Sequence, residues 1–282
     1  MSAPTVSVLV TTYNRPDALE RCLISVFQQS HLPTEILVCD DGSGDVTRQT
    51  IARLQARSPV PLQHIWQPDD GFRLARIRNQ GLLAATGAYL IQVDGDVILH
   101  RQYIADHLRH ARPGYFFSGN QYHIPLNIAN KLLADPTIPV QSALVQSAWN
   151  WRRLWSVPLQ WLMVRFYHWD THYEYVLGCN MGFWRQDLMR VNGYDEEFRG
   201  WGWEDTELVL RLINLGCTFR FIRFGAIQYH LDHPHSCRTS EGENRARAME
   251  TIRQRKIVCA QGVSQHIPSP DSTDEPPLRE CH

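Results

Sequence analysis

Five short stretches of the chain carry the residue types that chemistry needs. VDGD ends an apolar run with Asp94 and Asp96, two carboxylates one residue apart. Carboxylates so placed can reach one hard divalent cation, Mg2+ or Mn2+, which prefers oxygen and commonly keeps phosphate as a co-ligand. The same residues also make a plain solvated turn. CDDGS ends a second apolar run with Asp40 and Asp41. A carboxylate there can accept hydrogen bonds from ribose hydroxyls or a base N–H, although Asp and Gly are equally turn residues. GFRLARIRNQG sets Arg73, Arg76 and Arg78 near a helix start. Arginines there can bind diphosphate or form a solvated basic face. Arg76 and Asn79 lie one turn apart and could act together.

GWGWEDTEL places Trp201, Gly202 and Trp203 directly before Glu204 and Asp205. Acidic residues suit a first helical turn because of the macrodipole. A rigid aromatic wall beside an ionised carboxylate also suits stacking on a sugar ring while a base takes a hydroxyl proton. YHLDHPHSC holds His230, His233, His235 and Cys237. That spacing matches no common structural zinc pattern. One histidine lending a nitrogen to the Asp-held cation is the better reading, and imidazole suits Mn2+ over Mg2+.

The elements that must position these groups alternate. SVLVTTYN reads as a strand, and Pro16 opens a helix with Leu19, Leu23, Val26 and Phe27 on one side. Further strands are EILVCDD, LQHIWQ and AYLIQVDGD, separated by helices over 45–57 and 74–85. Continuous apolar strands alternating with helices predict an α/β fold with a mostly parallel sheet. In such sheets ligands collect at the carboxyl ends of the strands, which here are Thr12-Tyr13-Asn14-Arg15, Asp40-Asp41 and Asp94-Gly95-Asp96. Beyond residue 115 the pattern predicts a short strand FFSGNQY and, after the segment YVLGCNMGFW, a helix opening at Glu204, a strand pair FRFIR–AIQYHL and a helix over 241–260. The stretch 148–169 holds five of the nine tryptophans with Arg152, Arg153 and Arg165, and reads equally as core or as a segment lying on anionic lipid.

The 282 residues are 43% hydrophobic with a net charge of -1, so no strongly basic nucleic-acid footprint is present. The expected organisation is one domain over 1–260, with a nucleotide-binding half over about 5–112, an acceptor and catalytic half over about 113–240, and a disordered tail over 261–282. Seven scattered cysteines without a C-x-x-C point to free thiols in a reducing compartment. No signal-like or membrane-spanning run is visible, so the expectation is a cytoplasmic protein, peripheral on the inner face of a membrane.

Together the pieces resemble a family 2 glycosyltransferase of the GT-A fold. The resemblance rests on VSVLVTTYNRPDALERCLISVFQQS, EILVCDDGS, RNQG and VDGD in that order. NGYDEEFRGWGWEDTELVLRL is similar to the galactosyltransferase region of β-1,4-galactosyltransferases and bacterial chondroitin polymerases. The resemblance implies that Thr12, Tyr13, Arg15 and Asp40 hold the uridine end of a UDP-sugar. It implies that Arg76 and Asp94 contact nucleotide, ribose or sugar. It gives the metal to Asp96 and His230, catalysis as base to Asp205, and a substrate contact to Glu204, beside a sugar wall of Trp201, Gly202 and Trp203. The acceptor would be a glycan or lipid-linked glycan. One departure stands out, because the family often has Gly where this chain has Trp203. A non-catalytic sugar-nucleotide binding module on the same fold is the alternative. A nucleotidyltransferase fits poorly, since TTYNRPDA lacks the glycines that admit a triphosphate.

Overall fold

The computed structural model describes residues 3–135, 138–144, 153–166, 176, 178–233 and 239–267. Its centre is a seven-stranded sheet in the order β3-β2-β1-β4-β8-β6-β9. Strands β1 (Val6–Thr12), β2 (Glu35–Asp40), β3 (Leu62–Trp66) and β4 (Tyr89–Asp94) pair in parallel. β8 (Asn180–Trp184) runs antiparallel between β4 and β6 (Tyr115–Ser118), and β9 (Thr218–Phe221) lies parallel to β6. β1 and β2 are buried along their whole length, as strands covered on both faces must be.

Helices cover both faces. α1 (Pro16–Phe27) starts on a proline, whose fixed φ suits the first turn, and buries Leu19, Leu23 and Val26 beside α2 (Asp45–Gln55) and α4 (Tyr103–His110). The opposite face takes α3 (Leu74–Ala84), α8 (Arg185–Arg190) and α9 (Glu204–Asn214). Leu208, Val209 and Leu212 point from α9 into that layer, and each contributes on the order of 1.5–3 kcal/mol by leaving water. A second, three-stranded sheet has the order β5-β10-β7, from β5 (Val97–Leu99), β7 (Gln121–Ile124) and β10 (Gln228–Leu231). It packs with α5 (Leu126–Ala134) and α6 (Val140–Ala143) into a third apolar cluster. The remaining helices are α7 (Val157–Phe166) and α10 (Glu241–Gln254).

Four expectations need correction. FFSGNQY is two strands, because the chain changes sheet at Gly119-Asn120. A Cβ at Gly119 would lie 2.4 Å from the Ala226 carbonyl, and Asn120 spends its amide on the Ile222 and Gly225 carbonyls. FRFIR and AIQYHL do not pair. β9 joins the large sheet and β10 the small one, across a turn in which Phe224 and Ala226 are left-handed. The helix expected to reach residue 260 ends at Gln254, where Arg255 takes φ 49°. The tail expected from residue 261 is ordered at its start. Val263 is buried, its N–H bonds to the Asn192 carbonyl, and His266 reaches Glu196. Residues 268–282 lie outside the described residues.

Candidate active site

The parallel register sets Thr12 level with Asp40 and Thr11 level with Asp94, so the polar strand ends share one edge. There they open on a cavity of about 920 Å³. Thr12, Tyr13, Arg15, Asp94 and Asp96 line it from the sheet. Trp201, Gly202, Trp203, Glu204 and Asp205 line it from the start of α9, and His230 from β10. Asp40 and Arg76 are the two predicted site residues that do not.

Asp40 is fully buried beside the cavity. Its Oδ1 accepts the Ser43 N–H at 2.8 Å and its Oδ2 meets His64 Nε2 at 2.9 Å. It shapes the turn, and its neighbour Asp41 faces the cavity instead. Asp41 is held by Gln67 and by the Arg73 N–H, while burial raises its carboxyl above the usual range.

Arg76 is half-buried on another face of α3 from Arg78, because two residues apart means about 200° around a helix. Of Arg73, Arg76 and Arg78, it is Arg78 that lines the cavity and meets its carboxylates. Its side chain is 1% exposed. Nη1 lies 2.8 Å from Asp205 Oδ1 and 3.3 Å from Glu204 Oε1, and Nη2 lies 3.6 Å from Asp94 Oδ1. Burial opposes its charge, but Asp205, Tyr194, Glu204 and Asp94 outweigh it and raise the pKa. The signal was available in the period. Arg78 shares the inward face of α3 with Ala75 and Leu82, and a core-facing arginine requires carboxylates.

Asp205 Oδ1 accepts from Arg78, from the Tyr194 hydroxyl at 3.1 Å and from Gln92 at 3.5 Å. Its Oδ2 sits against Gly178, where a Cβ would come within 1.6 Å. Glu204 behaves differently. Burial and the neighbouring Asp205 charge push its carboxyl up to about 8 despite Arg78, and its Oε2 has no hydrogen-bond partner. The two adjacent carboxyl groups thus stand in different surroundings, one hydrogen-bonded on Oδ1 by three donors and the other buried with an unpartnered oxygen.

The turn before α9 is left-handed at Gly200, Gly202 and Trp203, with φ of 75°, 99° and 74°. Two of these positions have the residue that tolerates such φ; the third is a tryptophan. Asn244 of α10 ties the turn down through the Arg199 and Gly202 carbonyls, and the Arg245 guanidinium lies 5.8 Å from the Trp203 ring.

Asp96 faces two histidines, with His233 Nε2 at 3.0 Å and His230 Nε2 at 3.6 Å, and Arg15 donates to it at 3.1 Å. Burial works against its ionisation, but His233, His230 and Arg15 hold its carboxyl below the usual range. One donor atom from each of Asp96, His230 and His233 lies within 4.8 Å of the others, and His123 and Asp232 form a second such group with His230. Asp96 Oδ1 and His230 Nδ1 are buried without a hydrogen bond, so the donor set fits a divalent cation. His230, the histidine expected beside the DGD loop, lies there together with His233, and His235 lies outside the described residues.

Residues 7–184 match the model of glycosyl transferase family 2, and residues 162–236 match a model described as the N-terminal domain of galactosyltransferase. The chain is 28% identical over 250 residues to a hyaluronan synthase of Pasteurella multocida, covering 81% of this chain and 25% of that one. It therefore spans about a quarter of that relative's length. Among solved structures it is similar to a mannosyltransferase from Pyrobaculum calidifontis in complex with GDP-Man and Mn2+. That match has a TM-score of 0.59 and 20% identity, and covers 90% of this chain and 65% of that one. It is also similar to GalNAc-T7 with UDP, GalNAc and Mn2+, with a TM-score of 0.63 and 17% identity, covering 89% and 48%.

Proposed function

The chain belongs to family 2 of the glycosyl transferases and has the GT-A fold, and from that premise we propose that it is an inverting, divalent-metal-dependent enzyme. It moves a sugar from a UDP-sugar to a hydroxyl of a glycan or lipid-linked acceptor in the synthesis of a surface polysaccharide or lipopolysaccharide. The observation that carries this reading is that Asp205 and the Asp96–His230–His233 group line one cavity at the carboxyl edge of the sheet. UDP is supported by the likeness to GalNAc-T7, and the GDP-Man of the mannosyltransferase makes GDP the competing choice.

In this reading Asp205 takes the proton of the acceptor hydroxyl as that oxygen attacks the anomeric carbon. Arg78 donates to Asp205 Oδ1 at 2.8 Å and so fixes one of its oxygens. Attack from the side opposite the leaving diphosphate inverts the anomeric centre. Glu204, protonated near neutrality, donates a hydrogen bond to a sugar oxygen, and Trp201 and Trp203 offer ring faces to the sugars. Thr12, Tyr13, Arg15 and Asp41 receive the nucleotide. Asp96, His230 and His233 would hold the cation, which when bound neutralises the departing diphosphate.

The reading puts the enzyme in the cytoplasm, at a membrane face when the acceptor is lipid-linked, with contact through 148–169. The free thiols of all five described cysteines agree with a reducing compartment. The test is nucleotide release from a panel of UDP- and GDP-sugars with Mn2+, Mg2+ or chelator. Metal-dependent release from one donor, lost in Asp96→Ala and Asp205→Asn, is the expected result. Release indifferent to both substitutions overturns it, and nucleotide binding by calorimetry without turnover of any donor, with or without acceptor, supports a binding module instead.

A further inference from the structure

Helix α7 is turned inside out. Its one fully buried residue is Gln160, while Trp161, Leu162 and Phe166 are 53%, 51% and 69% exposed. A surface helix ordinarily does the reverse. The reason lies in what grips it. Gln160 donates to Asp106 Oδ1 at 3.2 Å and to the Phe224 carbonyl at 3.0 Å, and accepts from Arg109 at 3.1 Å. Asp106, itself fully buried, also takes the Trp155 indole N–H at 3.0 Å and the Ala226 N–H at 2.9 Å. Gly225 leaves the room, since a Cβ there would stand 2.4 Å from the Gln160 amide carbon. The helix is thus pegged to the body through the Gln160 amide, with Val164 packed on the core beside it, and Trp161, Leu162 and Phe166 are presented outward.

The charge around the stripe says what it meets. No acidic residue occurs in the sequence between Asp135 and Asp170, and among the described arginines of that stretch Arg153 turns to Tyr122 and the Leu144 carbonyl, which leaves Arg165 on α7. Arg165 is exposed within the stripe beside the Phe166 ring. Trp161 packs edge-on against His110 at 4.9 Å, and the chain continues from there to exposed Arg112. Ten residues span roughly 15 Å as a helix, too short to cross a bilayer, and among the described residues no helix is long and apolar enough to do so. Arg165 is the one charged side chain of α7, and it is positive. It complements phosphate headgroups, with tryptophan and phenylalanine at the level of the acyl boundary.

We propose that α7 docks the protein flat on an anionic lipid surface through Trp161, Leu162, Arg165 and Phe166. The proposal rests on the transferase reading only for its purpose, which is to bring the cavity to a lipid-linked acceptor. The test is co-sedimentation of the whole chain with phosphatidylcholine vesicles, and with the same vesicles carrying phosphatidylglycerol. Light scattering and nucleotide release in solution are measured in parallel. Binding should require phosphatidylglycerol, weaken with salt, and fall at least about tenfold in Trp161→Ser/Phe166→Ser and in Arg165→Glu. Both variants lie outside the cavity, so solution nucleotide release should stay at the parent level whichever way the vesicle result falls. Absent vesicle binding overturns the docking proposal, as does binding indifferent to the substitutions. A dimer that dissociates in Trp161→Ser/Phe166→Ser without any vesicle binding overturns it in favour of a second copy.

Discussion

Trp203 occupies a backbone position that L-residues avoid, and the cost can be measured by comparing two substitutions. Trp203→Ala and Trp203→Gly both remove the ring, its place in the cavity wall and its contact with Arg245. They differ in what the backbone must do at φ 74°. A residue with a Cβ is disfavoured there by about 1–2 kcal/mol. Glycine escapes that penalty but loses roughly 0.5–1 kcal/mol more conformational entropy on folding. The glycine variant should therefore be the more stable of the pair by about 0.5–1 kcal/mol. For a chain of this size that is a rise in Tm of roughly 1–4 °C. Thermal unfolding followed by far-ultraviolet circular dichroism reads it without depending on the tryptophan removed. Equal melting, or a more stable alanine variant, would refute the claim that Trp203 is held against its preference. If the strain is there for the ring, both variants should also show the same raised KM for acceptor, since only the backbone distinguishes them.

Arg78→Met leaves the Asp205, Glu204 and Asp94 carboxylates around an apolar chain, and should lower unfolding free energy in urea by about 3–5 kcal/mol. A loss below ~1 kcal/mol would show that the three acids do not depend on it. Glu204 contributes a pH dependence of definite sign. Its carboxyl is raised to about 8 in the folded chain, so its contribution is fully present below about 4.5 and is lost as pH rises through about 8. Over that window the parent should lose Tm relative to Glu204→Gln, and parallel profiles would argue against a protonated Glu204. Gly178→Ala drives a methyl into Asp205 Oδ2, and should cut donor turnover about a hundredfold while the fold melts cooperatively. Turnover at the parent level would mean that the carboxylate moves freely.

The alternation of the first hundred residues was legible because each strand there is continuously apolar and each helix keeps its period. The carboxyl-edge clusters followed from that frame alone. What failed was side-chain choice between neighbours. Asp40 and Asp41 are equivalent as text, and only the last pleat of β2 decides that Asp40 points into His64 and Ser43. Arg76 and Arg78 are equally alike until the inward face of α3 is fixed by Ala75 and Leu82. The two sheet changes were invisible for another reason. They are held by contacts such as Asn180 Nδ2 to the Asn120 and Ala226 carbonyls, which join residues far apart in the chain. His233 could be read as a ligand candidate, but its place beside Asp96 depends on β10 lying next to the loop after β4, where the Leu231 N–H meets the Asp96 carbonyl.

That placement of β10 has a consequence for how the protein is made. β10 inserts between β5 and β7, strands that leave the ribosome some hundred residues earlier. During synthesis both strands wait with open edges, and the DGD loop waits without its histidines. Closure of the small sheet is a non-local event of the kind that sets slow folding rates, and the waiting edges are templates for mispairing with other chains. The strand that closes the small sheet also carries His230 and leads to His233, so closure of that sheet and assembly of the charged group around Asp96 are a single step, and a nascent chain stalled before β10 emerges has neither.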